Sequence, residues 1–335
     1  MIVNTNSGGI ADRLEIASAR ISSFIQTTPL LKSDYLNDRL QCNLFIKAEN
    51  LQRTGSFKIR GALNKTLAST SDESASHLLT WSSGNHGAAL AEVAQDLGIP
   101  ASVVVPPWIP KVKVDNILSR GADVYTASDT QDVVKMGKSI AARLGAVVIP
   151  AYDDISVIDG QATVTLELLS QFSETNNGSA PDALIYPCGG GSLIAGAALV
   201  VGHSPIALLG AEPTAAADTK RSLLAGEPCE APDVGITICD ALRNRRPGAL
   251  TFDLMRQSVR DVLLVDDACV EAAMRVLFRH FKLVTEPGGA IAFAAVLSEI
   301  RSFRDKSVVA VISGGNVSHE QFAKVIQADN EVRAW

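Results

Sequence analysis

Cysteine is sparse in this chain of 335 residues: Cys42, Cys188, Cys229, Cys239 and Cys269 are odd in number, widely spaced and free of any Cys-x-x-Cys pair. That excludes a disulfide framework and a cysteine zinc site, and it points to a reducing compartment. Long apolar runs are also lacking: no uninterrupted stretch reaches the roughly 18 residues of a membrane-spanning helix. Residues 1–20 carry Asn, Ser, Asp and Glu where a secretory signal would have a basic start and a continuous apolar run, so the expected location is cytoplasmic. Nor is there any excess of positive charge. Thirty Lys and Arg stand against 36 Asp and Glu, the net charge is −6, and the basic residues are scattered. Nucleic acid and anionic membrane surfaces are thereby excluded as partners, and any anion must be held locally.

What is present suits a large, well-packed globular protein of one large domain or two, with 47% hydrophobic and 20% charged residues. Short β-branched runs alternate with longer amphipathic ones, without a fixed-period repeat or low-complexity tract. The expected strands are 43–47, 78–81, 101–105, 123–126, 146–149, 183–187, 206–212 and 307–312, with helices between them. This βαβ alternation predicts mostly parallel sheets flanked by helices, with ligands bound beyond the carboxyl ends of the strands.

Four strand-to-helix loops carry the chemistry. Residues 47–62, Lys-Ala-Glu-Asn-Leu-Gln-Arg-Thr-Gly-Ser-Phe-Lys-Ile-Arg-Gly-Ala, put Lys58 at a helix start. Partial positive charge and desolvation there disfavour the ammonium form, and a neutral amine is what attacks an aldehyde. By itself the same position suits a solvated surface lysine. Trp-Ser-Ser-Gly-Asn-His-Gly at 81–87 offers glycines on both sides of Asn85 and His86 and free N–H groups for a carboxylate. It reads equally as an ordinary helix N-cap, with His86 a structural histidine. Tyr-Pro-Cys-Gly-Gly-Gly-Ser at 186–192 makes a cradle of backbone donors for a phosphate. It lacks the Gly-Lys-Ser/Thr of a P-loop. A dinucleotide site, with Glu212 as its ribose-binding acid, is a minority alternative, because Ile194 stands where the third glycine belongs. Ile-Ser-Gly-Gly-Asn at 312–316 offers Ser313 to a ring nitrogen, or is merely a tight turn.

A lysine for an aldehyde, a glycine cradle for a monophosphate, an asparagine for a ring hydroxyl and a serine for a ring nitrogen together describe pyridoxal 5′-phosphate. From Thr28-Pro29-Leu30 to Asn316 the chain resembles the fold-type II pyridoxal-phosphate enzymes of the serine/threonine dehydratase and serine racemase group, which includes threo-3-hydroxyaspartate ammonia-lyases. Supporting pieces in order are Val104-Val105-Pro106, Gly121-Ala122-Asp123-Val124, Gly160-Gln161-Ala162-Thr163, Ala211-Glu212-Pro213 and Glu286-Pro287-Gly288-Gly289-Ala290. The resemblance implies a tryptophan synthase beta-like α/β fold of two open, twisted, mostly parallel sheets flanked by helices. Residues 1–77 and 152–335 would form a large cofactor-binding domain and 78–151 a small one, with the active site between them.

It further implies Lys58 as the Schiff-base lysine and base, and Ser83 as the acid/base group on the opposite face. Asn85 would meet the cofactor's 3′ oxygen, and Ser83, Gly84, Asn85 and His86 the substrate carboxylate. Phe57 would pack on the ring, Gly189, Gly190, Gly191 and Ser192 hold the phosphate, Ser313 face the pyridine nitrogen and Glu286 lie at the ring edge. Glu212, the Ala216 carbonyl and Asp218 would bind Mg²⁺, Ca²⁺ or Mn²⁺, a set that otherwise reads as a solvated acidic turn. The implied activity is removal of water from a 3-hydroxy amino acid by a homodimer, giving a 2-oxo acid and ammonia. Racemisation is the alternative, and a non-catalytic metabolite-binding protein the alternative of another class. A β-replacing synthase of the cysteine-forming kind fits less well, since threonine is typical there where this chain has His86. With the chain ending at Trp335, no appended regulatory domain is expected. Ser192 and Ala162 stand where glycine is usual, and residues 128–132, Ser-Asp-Thr-Gln-Asp, lack an arginine that some relatives carry for a second substrate carboxylate.

Overall fold

The computed structural model describes residues 9–70, 76–82, 84–129, 132–231 and 236–328. Ten strands are formed: β1 (Leu30–Lys32), β2 (Asn43–Ala48), β3 (Leu78–Trp81), β4 (Ala101–Val105), β5 (Asp123–Thr126), β6 (Val147–Val148), β7 (Ala183–Pro187), β8 (Ala207–Pro213), β9 (Val259–Val265) and β10 (Ser307–Ile312). They make a six-stranded sheet in the order β1-β2-β10-β7-β8-β9 and a four-stranded sheet in the order β5-β4-β3-β6. Every pairing is parallel except β1 with β2.

The central strands are continuous apolar runs because both their faces are covered. Strand β10 shows the division: Val308, Ala310 and Ile312 enter one hydrophobic cluster, Val309 and Val311 the other, as the two-residue period requires. Helix Pro287–Ser298 is buried from Pro287 to Leu297, and it packs across β10, β7, β8 and β9. On the opposite face, helices Ile155–Thr175 and Ser192–Val201 join Phe45, Leu184 and Tyr186 in the second cluster. The smaller sheet is sandwiched between helix Asn85–Leu97 on one side and helix Asp132–Leu144 on the other.

All eight expected strands form, with ends shifted by a residue at 43–47, 146–149 and 206–212. Strands β1 and β9 were not expected, and both are outer edges of the larger sheet. β1 has only three residues, and β9 carries Arg260 and Asp261 with only Val262 and Val265 buried, so neither shows the long apolar run of a covered strand.

Candidate active site

Four helices start at one cavity of about 310 Å³ beyond the carboxyl ends of β2, β3, β7 and β10. They are Lys58–Ser69, Asn85–Leu97, Ser192–Val201 and Pro287–Ser298. Unsatisfied N–H groups at a helix start, together with the helix dipole, favour anions and oppose an ammonium.

Lys58 opens the first helix. Its Nζ donates to the Ala151 carbonyl at 2.7 Å and lies 5.0 Å from the centroid of the Phe57 ring. Burial pushes the Lys58 pKa down to about 8. The loop before it is sewn to the end of β10: Phe57 N–H donates to the Ser313 carbonyl at 3.1 Å, and Gly315 N–H to the Gly55 carbonyl at 2.8 Å. Ser313, which is buried, therefore lines the same cavity as Lys58.

The helix Asn85–Leu97 has Gly84 as its N-cap at φ 138°, a conformation reserved for glycine, with no side chain capping it. Ser83 lies outside the described residues. His86 is buried and donates from Nε2 to the Ile149 carbonyl at 3.0 Å. Burial and the Lys58 charge push its pKa down to about 3, so the ring is neutral and its contact is structural. Asn85 Nδ2 donates to Glu286 Oε1, while Asn85 Oδ1 accepts from Asn316 Nδ2 at 2.9 Å.

The glycine run is explained by three close approaches. A Cβ on Gly190 would lie 2.4 Å from the Tyr152 ring, one on Gly189 3.0 Å from Asn244 Oδ1, and one on Gly191 2.9 Å from Thr251 Oγ1. Gly191, at φ 91°, is the N-cap of Ser192–Val201, again with no side chain capping the helix. The neighbouring helix Ile155–Thr175 is closed by the Asp154 carboxylate, which accepts from Ser156 and Val157 N–H. The N–H groups at Ser192 are thus left for an anion from outside the chain.

Glu212, Ala216 and Asp218 form a separate buried turn at the end of β8. Glu212 accepts from the backbone N–H groups of Thr219 at 2.8 Å and Lys220 at 3.0 Å. Both Asp218 carboxylate oxygens are buried without a hydrogen-bond partner among the described residues. Burial pushes Glu212 up to about 7; burial and the Glu212 charge push Asp218 up to about 8. A buried, unpartnered carboxylate beside a second one is a donor set that a hard cation fits.

Sequence reasoning missed the outer parts of the cavity network. Lys113 Nζ donates to Asp240 Oδ2 at 2.7 Å and lies 3.2 Å from Glu286 Oε2. Burial opposes the Lys113 ammonium, but Glu286 and Asp240 outweigh it and hold its pKa above the ordinary value. Two residues earlier, Lys111 only pairs with Asp115 in solvent, and nothing in Lys-Val-Lys-Val separates the two lysines. Tyr152 and Asn244 were missed as well; the signal for them was the glycine run, which implies close neighbours without naming them.

Comparison with known proteins agrees with this geometry. Residues 21–314 match the family described as pyridoxal-phosphate dependent enzyme. A serine racemase of Arabidopsis thaliana is 40% identical over 92% of this chain and 93% of its own. An L-threo-3-hydroxyaspartate ammonia-lyase of Saccharomyces cerevisiae is 35% identical over 94% and 95% of the two chains. The structure of maize serine racemase superposes with a TM-score of 0.87 at 35% identity, over 93% of this chain and 95% of that one. The chain belongs to the pyridoxal-phosphate dependent enzyme family, with the fold-type II architecture. Its cavity fits that cofactor: an amine of lowered pKa, a glycine-capped helix start without a side-chain cap, and a neutral hydroxyl occur together on its walls.

Proposed function

We propose that this enzyme is an ammonia-lyase that removes water from a 3-hydroxy amino acid of the serine, threonine or 3-hydroxyaspartate type, releasing a 2-oxo acid and ammonia. One observation carries the reading: the cavity that holds Lys58 also holds Ser313, whose neutral hydroxyl, set at the cofactor's ring nitrogen, would leave that nitrogen unprotonated. When bound, pyridoxal phosphate supplies an electron sink for cleavage of the Cα–H bond. A ring left unprotonated favours loss of the β-hydroxyl over transamination.

The chain's own residues then divide the work. Lys58 Nζ, part neutral near pH 8, holds the cofactor and accepts the Cα proton on one face. Ser83 serves as acid/base group on the other. Backbone N–H groups from Gly84 to His86 bind the α-carboxylate, and Gly189, Gly190, Gly191 and Ser192 bind the phosphate. Asn85, held between Glu286 and Asn316, meets the 3′ oxygen with Glu286 at the ring edge. Phe57 packs on the ring. Residues 78–151 form a small domain, residues 1–77 and 152–335 the large one, with the active site between them. Glu212, the Ala216 carbonyl and Asp218 hold Mg²⁺, Ca²⁺ or Mn²⁺, which would neutralise two buried acids. A homodimer in the cytoplasm completes the reading, and five free thiols support the reducing compartment.

Racemisation is the second reading, favoured by relatives named serine racemase. The test measures ammonia, 2-oxo acid and Cα inversion on a panel of serine, threonine and 3-hydroxyaspartate isomers. Wild type should release ammonia, Lys58→Ala none, and Ser83→Ala should lose any inversion. Inversion without 2-oxo acid would transfer the assignment to a racemase, and neither product would leave a binding protein.

A further inference from the structure

We propose that the substrate's β-substituent is uncharged and bulky, an aryl or branched alkyl group, and that a second carboxylate is disfavoured. The inference rests on the lyase reading of this cavity and narrows its substrate class, keeping the 3-hydroxy amino acid but turning preference away from serine and 3-hydroxyaspartate. The outer wall of the cavity is made by Trp81, Pro106, Trp108, Val133, Val134 and Leu242. Trp81 ends β3 immediately before the loop that would hold the α-carboxylate, and it lines the cavity together with Val133 and Val134. The indole's place is built in: a Cβ on Gly137 would lie 2.4 Å from Trp81 Cε3, and glycine leaves it none. At the mouth, Trp108 and Val134 are 40% and 44% exposed, apolar surface in contact with water that a bound apolar group would cover.

The charges point the same way. Among the described residues lining the cavity, Lys58 is the only lysine or arginine, and the cofactor engages it; Glu286 adds a carboxylate. Helix Asp132–Leu144, whose start could otherwise receive an anion, already has Asp132 in its first turn, accepting from Ser128 Oγ at 3.0 Å. The Lys113 ammonium is buried against Asp240 and Glu286. Arg243 does not line the cavity, and its guanidinium lies over the Trp108 ring, 5.5 Å from the centroid.

Two measurements on the cofactor-loaded enzyme test this. The first titrates it with phenylalanine and with aspartate, neither of which has a β-hydroxyl to lose, and reads tryptophan fluorescence and cofactor absorbance. The second compares kcat/KM for threo-3-phenylserine, serine and threo-3-hydroxyaspartate. Phenylalanine should bind more tightly than aspartate, and phenylserine should exceed both other substrates by roughly 10- to 100-fold, the worth of burying one aromatic ring. Val134→Arg, at an exposed position, should shrink or invert that ratio, whereas Lys111→Gln, in solvent away from the cavity lining, should leave it unchanged. Equal or tighter binding of aspartate, or a higher kcat/KM for hydroxyaspartate or serine, overturns the proposal. Tighter binding of phenylalanine with no ammonia from any substrate would sustain the apolar pocket and reject the lyase reading alone.

Discussion

Lys58 owes its chemistry to where its amine lies more than to what it is. Near its ordinary value of 10.5 it would be almost wholly protonated at neutral pH; at about 8 a usable fraction is neutral. Capture of the cofactor by the unloaded protein should therefore accelerate with rising pH and level off above about 8, followed as growth of visible absorbance after mixing. A pH-independent rate, or absorbance surviving in Lys58→Ala, would contradict this. At this scale the sequence was most legible where the backbone itself is the functional group. Three glycines in a row imply a turn with no room for side chains, and Gly189 to Gly191 form such a turn at a helix start. It was least legible where burial decides. His86 shares its motif with Asn85 yet is neutral and structural, and Lys113 differs from Lys111 only by facing inward.

Helix Lys58–Ser69 is anchored by an ion network directly beneath the site. The fully buried Arg60 donates to Glu49 through Nε at 2.9 Å and through Nη2 at 2.8 Å, and reaches Glu167 at 3.1 Å. Buried Lys47 donates to Glu167, to Gln171 at 2.8 Å and to the Thr28 carbonyl at 2.8 Å. Glycines then set the crossing of this helix with Ile155–Thr175, since a Cβ on Gly160 would meet the Arg60 carbonyl at 2.6 Å. Breaking one side of the network leaves an uncompensated buried charge. Arg60→Met should cost about 3–5 kcal/mol in urea unfolding, and adding Glu49→Leu should restore much of it. A loss under about 1 kcal/mol in the single variant would mean that the charges are solvated after all. None of this network was read from the sequence, because Lys47, Glu49, Arg60 and Glu167 are ordinary charged residues until four separate elements bring them together.

Across the whole molecule, the acidic turn at Glu212 and Asp218 ties stability to pH, and a cation held there would offset the cost of their charges. Folding raises their pKa values from 4.5 and 3.8 to about 7 and about 8, so between about pH 4 and pH 8 the folded protein holds protons that the unfolded chain has released. Without a cation, this contribution to stability is present at low pH and is lost as pH rises through the folded values. Millimolar Mg²⁺ should therefore raise Tm more at about pH 8 than at about pH 5, and Asp218→Asn should abolish the difference. An equal Tm shift at both pH values would argue against a cation at this turn. The sequence by itself determined the βαβ order, the strand-to-helix loops and the family, because these depend on local periodicity and on backbone-permissive residues. Only the tertiary structure decided which helix starts meet in one cavity, which charged residues are buried as partners, and that an indole and two valines form its outer wall. Those properties belong to pairs of residues far apart in sequence, and packing alone brings them within contact distance.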